Sequence, residues 1–296
     1  MAQAFLSLSD AGKNAAWRYI VGIALIVVFW LLGGFITGAI SLSLGLVNPE
    51  AGIAGMGESP LALALSLLSF LPMLVMPFLV TRWLHGRPAG TLLGVAQRVH
   101  WGRVGSGFML WVALYVLAAL ILTLAGVSRY EFNPDFGRTL PMVLVGLLLL
   151  PIQTSAEEVF FRGYLLQATG RLTRSPILLA IVNGVLFAVP HLANPEVQQG
   201  FAFAFGQWFA FGVGFTLITL RTGALDAALG VHAANNIASF ALAGYRGGAL
   251  PPVALFITDS PDPAIGLVIL VVAMVVAFLV LGRQSASPAP TPALQS

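Results

Sequence analysis

Few polar side chains interrupt the apolar runs of this sequence, and those with chemical potential gather in three short groups. The first is Ala156-Glu157-Glu158-Val159-Phe160-Phe161-Arg162. Neighbouring residues on a helix point about 100° apart, so the two glutamates cannot share one role. Glu158 and Arg162, four apart, lie on one face and can form an ion pair. Glu157 is left facing elsewhere, available to a water or a cation. The second group, Phe187-Ala188-Val189-Pro190-His191, ends an apolar stretch and has Asn183 on the same stripe, placed to orient the His191 ring. The third is Val231-His232-Ala233-Ala234-Asn235-Asn236. His232 and Asn236 share a face there and can donate hydrogen bonds to an oxyanion or ligate a metal. Amide hydrolysis needs a base beside the attacking water and donors aimed at the developing oxyanion. One carboxylate, two imidazoles and an amide supply both parts.

Each group also has a plainer structural reading. The acids can sit solvated at a membrane edge with Arg162 as a topology charge. His191 can be a hydrogen-bonded structural residue. His232 and Asn236 can be polar links between packed membrane helices. Arg221 and Asp226, flanking Thr222-Gly223-Ala224, read as charged shoulders of a cytoplasmic turn without a catalytic part. Gly212 and Gly214 read as sites of close helix packing.

The elements that must position these groups are membrane helices. Of 296 residues, 58% are hydrophobic and only 8% charged, against about 25% charged in soluble domains. A charge at bilayer centre costs roughly 2.5–3.5 kcal/mol on insertion scales, so spans follow from runs free of Asp, Glu, Lys and Arg. Such runs cover 19–49, 59–81, 104–128, 139–156, 175–195, 197–220, 227–245 and 263–282. They predict an all-α, polytopic membrane protein of about eight transmembrane helices, the fourth extending beyond its uncharged run. The first run exceeds a signal-peptide core and reads as a retained helix.

Charge between the runs gives orientation. Glu50 and Glu58 follow the first run, whereas Arg82, Arg87, Arg98 and Arg103 follow the second. Arg171 and Arg174, Arg221, and Arg283 fall on that second side, which places both termini in the cytoplasm and the chain in the cell (inner) membrane. The loop 129–138 is neutral, and Arg246 is an exception. The arginines are spread singly, so the net charge of +3 does not indicate nucleic acid. With no Cys, disulfides, thiolate metal sites and a Cys nucleophile are excluded. The organisation expected is an N-terminal cytoplasmic segment at 1–16, whose first residues are interfacial or loose, and a transmembrane domain at 17–283. Its motif core is 140–240, and a disordered Pro/Ala/Ser-rich tail follows at 284–296.

Read in order, Glu-Glu-x-x-x-Arg, Phe-x-x-x-His and His-x-x-x-Asn resemble the CPBP family, the CAAX proteases and bacteriocin-processing (Abi) enzymes. The likeness covers about a third of the chain, and its strength lies in three motifs on successive apolar helices. It implies an intramembrane endopeptidase with its site in an interior cavity of the helix bundle, opening toward the cytoplasm. In that family the positions matching Glu157 and His191 activate a water, and those matching His232 and Asn236 stabilise the oxyanion. Glu158 and Arg162 form the supporting pair. The family has been described both as metalloproteases and as glutamate-dependent proteases, so a divalent metal such as zinc, held by Glu157, His191 and His232, enters as an expectation that the spacing does not require. The implied partners are a peptide or protein substrate at the membrane and the lipid bilayer. A non-proteolytic immunity or scaffold protein of the same fold is the alternative reading. A secondary transporter is the third, weakened because the polar residues converge on three motifs instead of recurring in symmetric halves. On a flat topology His191 and His232 fall at opposite ends of their helices and meet only through broken or unequal helices.

Overall fold

In a computed structural model, the protein is described over residues 1–46, 59–246, 248–249, 251–259 and 262–284. The order of elements is α1 (Ala2–Ser7), α2 (Ala16–Ser43), α3 (Pro60–Leu68), α4 (Leu71–Trp83), α5 (Trp101–Leu124), β1 (Glu131–Phe132) and α6 (Phe136–Glu158). A π-helical stretch, Val159–Leu165, carries α6 into α7 (Leu166–Thr169). Then come α8 (Pro176–His191), α9 (Phe201–Thr222), α10 (Asp226–Ile237) with a second π stretch at Ala238–Leu242, β2 (Ala243–Tyr245), β3 (Phe256–Thr258) and α11 (Pro263–Leu281). Among the described residues six helical segments are long and apolar enough to cross a membrane, with α3–α4 and α6–α7 each counted as one. The remaining two uncharged runs form the shorter α8 and α10. The fourth span extends past residue 156 to Thr169, as expected. Most of the tail expected at 284–296, and the Glu50–Glu58 loop, lie outside the described residues.

Three helices begin on the same local signal. Ser59, Ser175 and Asp262 each precede a proline at the first helical position and accept from backbone N–H groups inside the first turn. Such a cap stabilises a helix by about 1 kcal/mol, and proline there gives up an N–H that had no partner. The flanks left uncovered are apolar: Phe35 on α2, Leu148 on α6 and Val268 on α11 are all largely exposed. Side chains of this kind belong against lipid, where a water-facing surface would not carry them in such density.

Within residues 1–13, expected to be interfacial or loose, residues 2–11 form α1 and a 3-10 turn docked on the bundle. Phe5 and Leu6 are buried against Leu166, Leu179 and Leu220. The tie is strengthened by the Asp10–Arg171 ion pair and by His85 Nδ1, 2.8 Å from the Lys13 carbonyl. The end of the bundle holding both described termini therefore also holds the α4–α5, α7–α8 and α9–α10 connections. At the opposite end β1, β3 and β2 make a small sheet, β1 antiparallel and β2 parallel to β3. The sequence gives no sign of these strands.

Close backbone approaches set the helices that bear the motifs. A Cβ on Gly212 of α9 would lie 2.7 Å from Gly184 Cα of α8, and one on Gly230 of α10 would lie 2.1 Å from the Val104 carbonyl of α5. Glycine at these points lets membrane helices pack at contact distance, the part expected of Gly212.

Candidate active site

Glu157 and Glu158 end α6 just before its hydrogen bonds widen to the π pattern, a local adjustment frequent at functional sites. Both are buried. Glu158 Oε1 accepts from Arg162 Nη1 at 2.8 Å, as the spacing predicts, and also lies 2.7 Å from His232 Nδ1. Arg162 is fully buried, with its guanidinium 4.2 Å from the Phe187 ring centroid and 4.9 Å from that of Phe215. Ring faces on one side and a carboxylate on the other compensate a charge that would otherwise be costly there.

Glu157 points elsewhere. Its Oε1 accepts from Gln153 Nε2 at 2.5 Å, while Oε2 has no hydrogen-bond partner among the described residues and lies 3.5 Å from His232 Nε2. Gln153 Oε1 in turn accepts from Asn236 Nδ2 at 3.1 Å. Asn236 Oδ1 accepts from Asn235, whose own Oδ1 accepts from Trp111 Nε1. A line of amides thus joins α5, α10 and α6 and ends on the catalytic candidate Glu157. The sequence motifs assign no role to Gln153, Asn235 or Trp111. The one signal for Gln153 is its position a single helical turn before Glu157.

His191 Nδ1 lies 2.7 Å from the Phe187 carbonyl, so it is the protonated nitrogen, and Nε2 carries the lone pair of the neutral ring. Its ring lies 5.5 Å from Trp208 and 4.6 Å from Phe187, and the Phe187 ring in turn lies 6.0 Å from that of His232. The two histidines therefore meet around Phe187. They can do so because α8 has only 16 residues, about 24 Å, and ends inside the bundle. Asn183 does not orient His191. Its Nδ2 donates to Thr169 Oγ1 and the Leu179 carbonyl instead, because its side chain faces α7. Arg221 and Asp226 also part company: Arg221 Nε donates to the Gly282 carbonyl, and Asp226 is buried against His100 and Arg103.

Glu157, His191, His232 and Asn236 all line one cavity of about 550 Å³. From them it runs past Tyr115 and Trp208 to Glu196 and Tyr245, at the end of the bundle that carries the sheet. No lining residue belongs to the connections at the end carrying the termini. Among the described residues no three His, Asp or Glu side chains converge closely enough to hold a metal ion. Glu157 Oε2 and His232 Nε2 are 3.5 Å apart, and His191 and His232 each pack on Phe187.

Residues 137–238 match the family model for type II CAAX prenyl endopeptidase Rce1-like proteins. An uncharacterized protein of Bacillus subtilis (strain 168), YyaK, is 35% identical over 233 residues, covering 76% of this chain and 77% of that one. No solved structure matches. The matched segment contains all three motifs and the four candidate residues Glu157, His191, His232 and Asn236, and the chain belongs to the Rce1-like, CPBP family of CAAX-protease-type membrane proteins.

Proposed function

We propose that the chain is an intramembrane endopeptidase that hydrolyses a peptide bond with a water activated by Glu157 and His191. The observation that carries this reading is Glu157 Oε2, which faces His232 Nε2 across 3.5 Å on the cavity wall, has no hydrogen-bond partner among the described residues and is held there by the hydrogen bond from Gln153 to its other oxygen. A carboxylate so placed can take a proton from water. His191 Nε2, with its lone pair, is the second acceptor on the same cavity.

The remaining steps follow from hydrogen-bond valence. As the water adds to the peptide carbonyl, its oxygen becomes an oxyanion needing donors. His232 can donate from Nε2 only as imidazolium, since its Nδ1 proton is directed to Glu158. The Glu158 carboxylate at 2.7 Å is the counter-charge for that cation. Asn236 Nδ2 is the second donor, released from Gln153 when substrate arrives. The proton gathered by Glu157 or His191 then passes to the departing amine. Arg162 holds Glu158 in place through its 2.8 Å contact. No step is routed through a metal, because Glu157, His191 and His232 do not form a ligand set here.

Purified protein in detergent, offered a fluorogenic peptide library that includes prenylated members, tests the reading. Cleavage by the wild type that disappears in both Glu157→Ala and His191→Ala is the expected result. A chelator arm tests a divalent ion: lost activity restored by zinc would replace the metal-free steps. Absence of cleavage from well-folded wild type on a broad library would sink the protease and leave an immunity or scaffold role.

A further inference from the structure

The cavity wall holds a second carboxylate that the hydrolytic steps do not use. Glu196 follows His191 by five residues, on the 3-10 turn Pro195–Gln199 between α8 and α9. It is half-buried and lines the cavity together with Tyr245 and Ala249. Its Oε1 accepts from the Ala249 N–H at 2.8 Å and from the Tyr245 hydroxyl at 3.3 Å. Its Oε2 is covered by the wall and has no hydrogen-bond partner among the described residues. Glu157 and Glu196 are the acids among the described lining residues, and no Lys or Arg stands beside them. A fixed carboxylate with an unsatisfied oxygen, on a wall without a cation, is a place for a cation that the bound molecule brings.

We propose that Glu196 is a specificity residue of this cavity and receives the side-chain ammonium of a lysine in the bound peptide. The placing of that lysine relative to a cleaved bond rests on the protease reading above, whereas the cation site does not. Oε1 already takes two donors, which fills its lone pairs. A guanidinium therefore cannot fork across both oxygens, and the point charge of an ammonium is the better match for Oε2. A small turn of the carboxylate about its soft χ3 torsion brings Oε2 to the cavity. Five residues of chain span at most about 18 Å, which bounds the distance between the His191 and Glu196 α-carbons. An extended peptide covers that length in about five residues. The favoured lysine accordingly lies within about five residues of the bond cleaved beside His191.

Glu196→Gln is the deciding variant, because its amide oxygen can still accept from Ala249 and Tyr245 while the charge is gone. Full-length wild type and variant in detergent are given fluorescent pools of apolar peptides, each pool with a single lysine at one position. Matched pools carry norleucine or arginine there. Binding is read by anisotropy and cleavage by kcat/KM. At one position or more the wild type should bind the lysine pool about tenfold more tightly than the norleucine pool, with a similar ratio in kcat/KM. Glu196→Gln should remove that difference. In the wild type alone, raising salt from about 0.1 M to about 1 M should shrink it. Equal binding of the lysine and norleucine pools at every position overturns the proposal. So does a preference that survives in Glu196→Gln or ignores salt, or one for arginine over lysine. A lysine preference in binding that Glu196→Gln removes, with no pool cleaved, means that the protease reading has failed while the cation site stands.

Discussion

His232 Nδ1 lies 2.7 Å from Glu158 Oε1, so the second glutamate of the pair is bound both to Arg162 on its own helix and to the histidine of a helix 74 residues further on. Glu158 is consequently the hinge of the site's electrostatics: it offsets a buried guanidinium and directs the ring that faces Glu157.

That double duty separates the two glutamates experimentally. Glu158→Gln and Arg162→Ala each leave a buried charge without its partner, a loss of about 3–5 kcal/mol in comparable cases. Both should lower Tm and yield as well as activity. Glu157→Gln keeps a group able to accept from Gln153 and removes no ion pair to Arg162, so it should abolish cleavage with Tm near that of the wild type. Thermal unfolding of the three purified variants decides this; unchanged Tm in Glu158→Gln and Arg162→Ala would refute the structural role of the pair.

Gln153 holds Glu157 Oε1 with its nitrogen and Asn236 with its oxygen, which makes it a positioning residue. Gln153→Leu should lower kcat by about tenfold to a hundredfold, the order expected when a catalytic group is misplaced by about an ångström. KM should change little, because Gln153 touches the proposed catalytic side chains Glu157 and Asn236 and is given no contact with the reacting bond. Steady-state kinetics on any cleaved peptide separates these; a rise in KM with constant kcat would show that Gln153 binds substrate instead.

The contrast between Glu158 and Gln153 shows which parts of the site can be read from sequence. A charge inside an apolar run is costly enough to stand out, and Glu157, Glu158 and Arg162 did so by that means. Spacing four apart was enough to pair Glu158 with Arg162, since one helix carries both. The His232–Glu158 contact comes from the meeting of α10 with α6, which no spacing encodes. Gln153 and Asn235 are uncharged and inexpensive, so nothing distinguished them from the other amides. Asn183 misled because a stripe on a helix does not say which neighbour lies along it, and here the neighbour is Thr169. The membrane helices were legible by length and hydropathy, whereas strands of two or three residues are too short to show an alternating pattern.

His85, outside the spans, gives a pH test of the packing at the end that holds the described termini. Its Nδ1 donates to the Lys13 carbonyl and its Nε2 accepts from the Tyr164 hydroxyl at 2.8 Å. Burial, aided by the Arg87 and Arg18 charges, holds the ring below the ordinary value of 6.5. Between those two values the unfolded chain binds more protons than the folded one, so stability rises with pH there. The contribution is complete above about pH 6.5 and is lost as pH falls through the folded value. Tm of the wild type should therefore drop on acidification from about pH 7 to about pH 5, and His85→Phe should flatten that slope while lowering Tm at neutral pH. Equal slopes in the two proteins would remove His85 as their source.

Gly230 tests whether helix contact positions the chemistry. A Cβ there would meet the Val104 carbonyl at 2.1 Å and the Phe108 nitrogen at 2.8 Å, both backbone atoms of α5 that no rotamer change can move. Gly230→Ala must therefore push α10 away from α5. Overpacking of this kind costs about 1–3 kcal/mol. The displaced helix carries His232, Asn235 and Asn236, and Asn235 is tied to α5 through Trp111 at 3.2 Å. Activity should consequently fall by more than the loss of folded protein explains. Comparing kcat per folded molecule with Tm separates the two effects. Gly34→Ala, where a Cβ meets nothing within 4 Å, is the control expected to change neither. If Gly230→Ala lowered Tm and left kcat intact, the α5–α10 contact would support the fold alone, and the placement of His232 would have to come from Glu158.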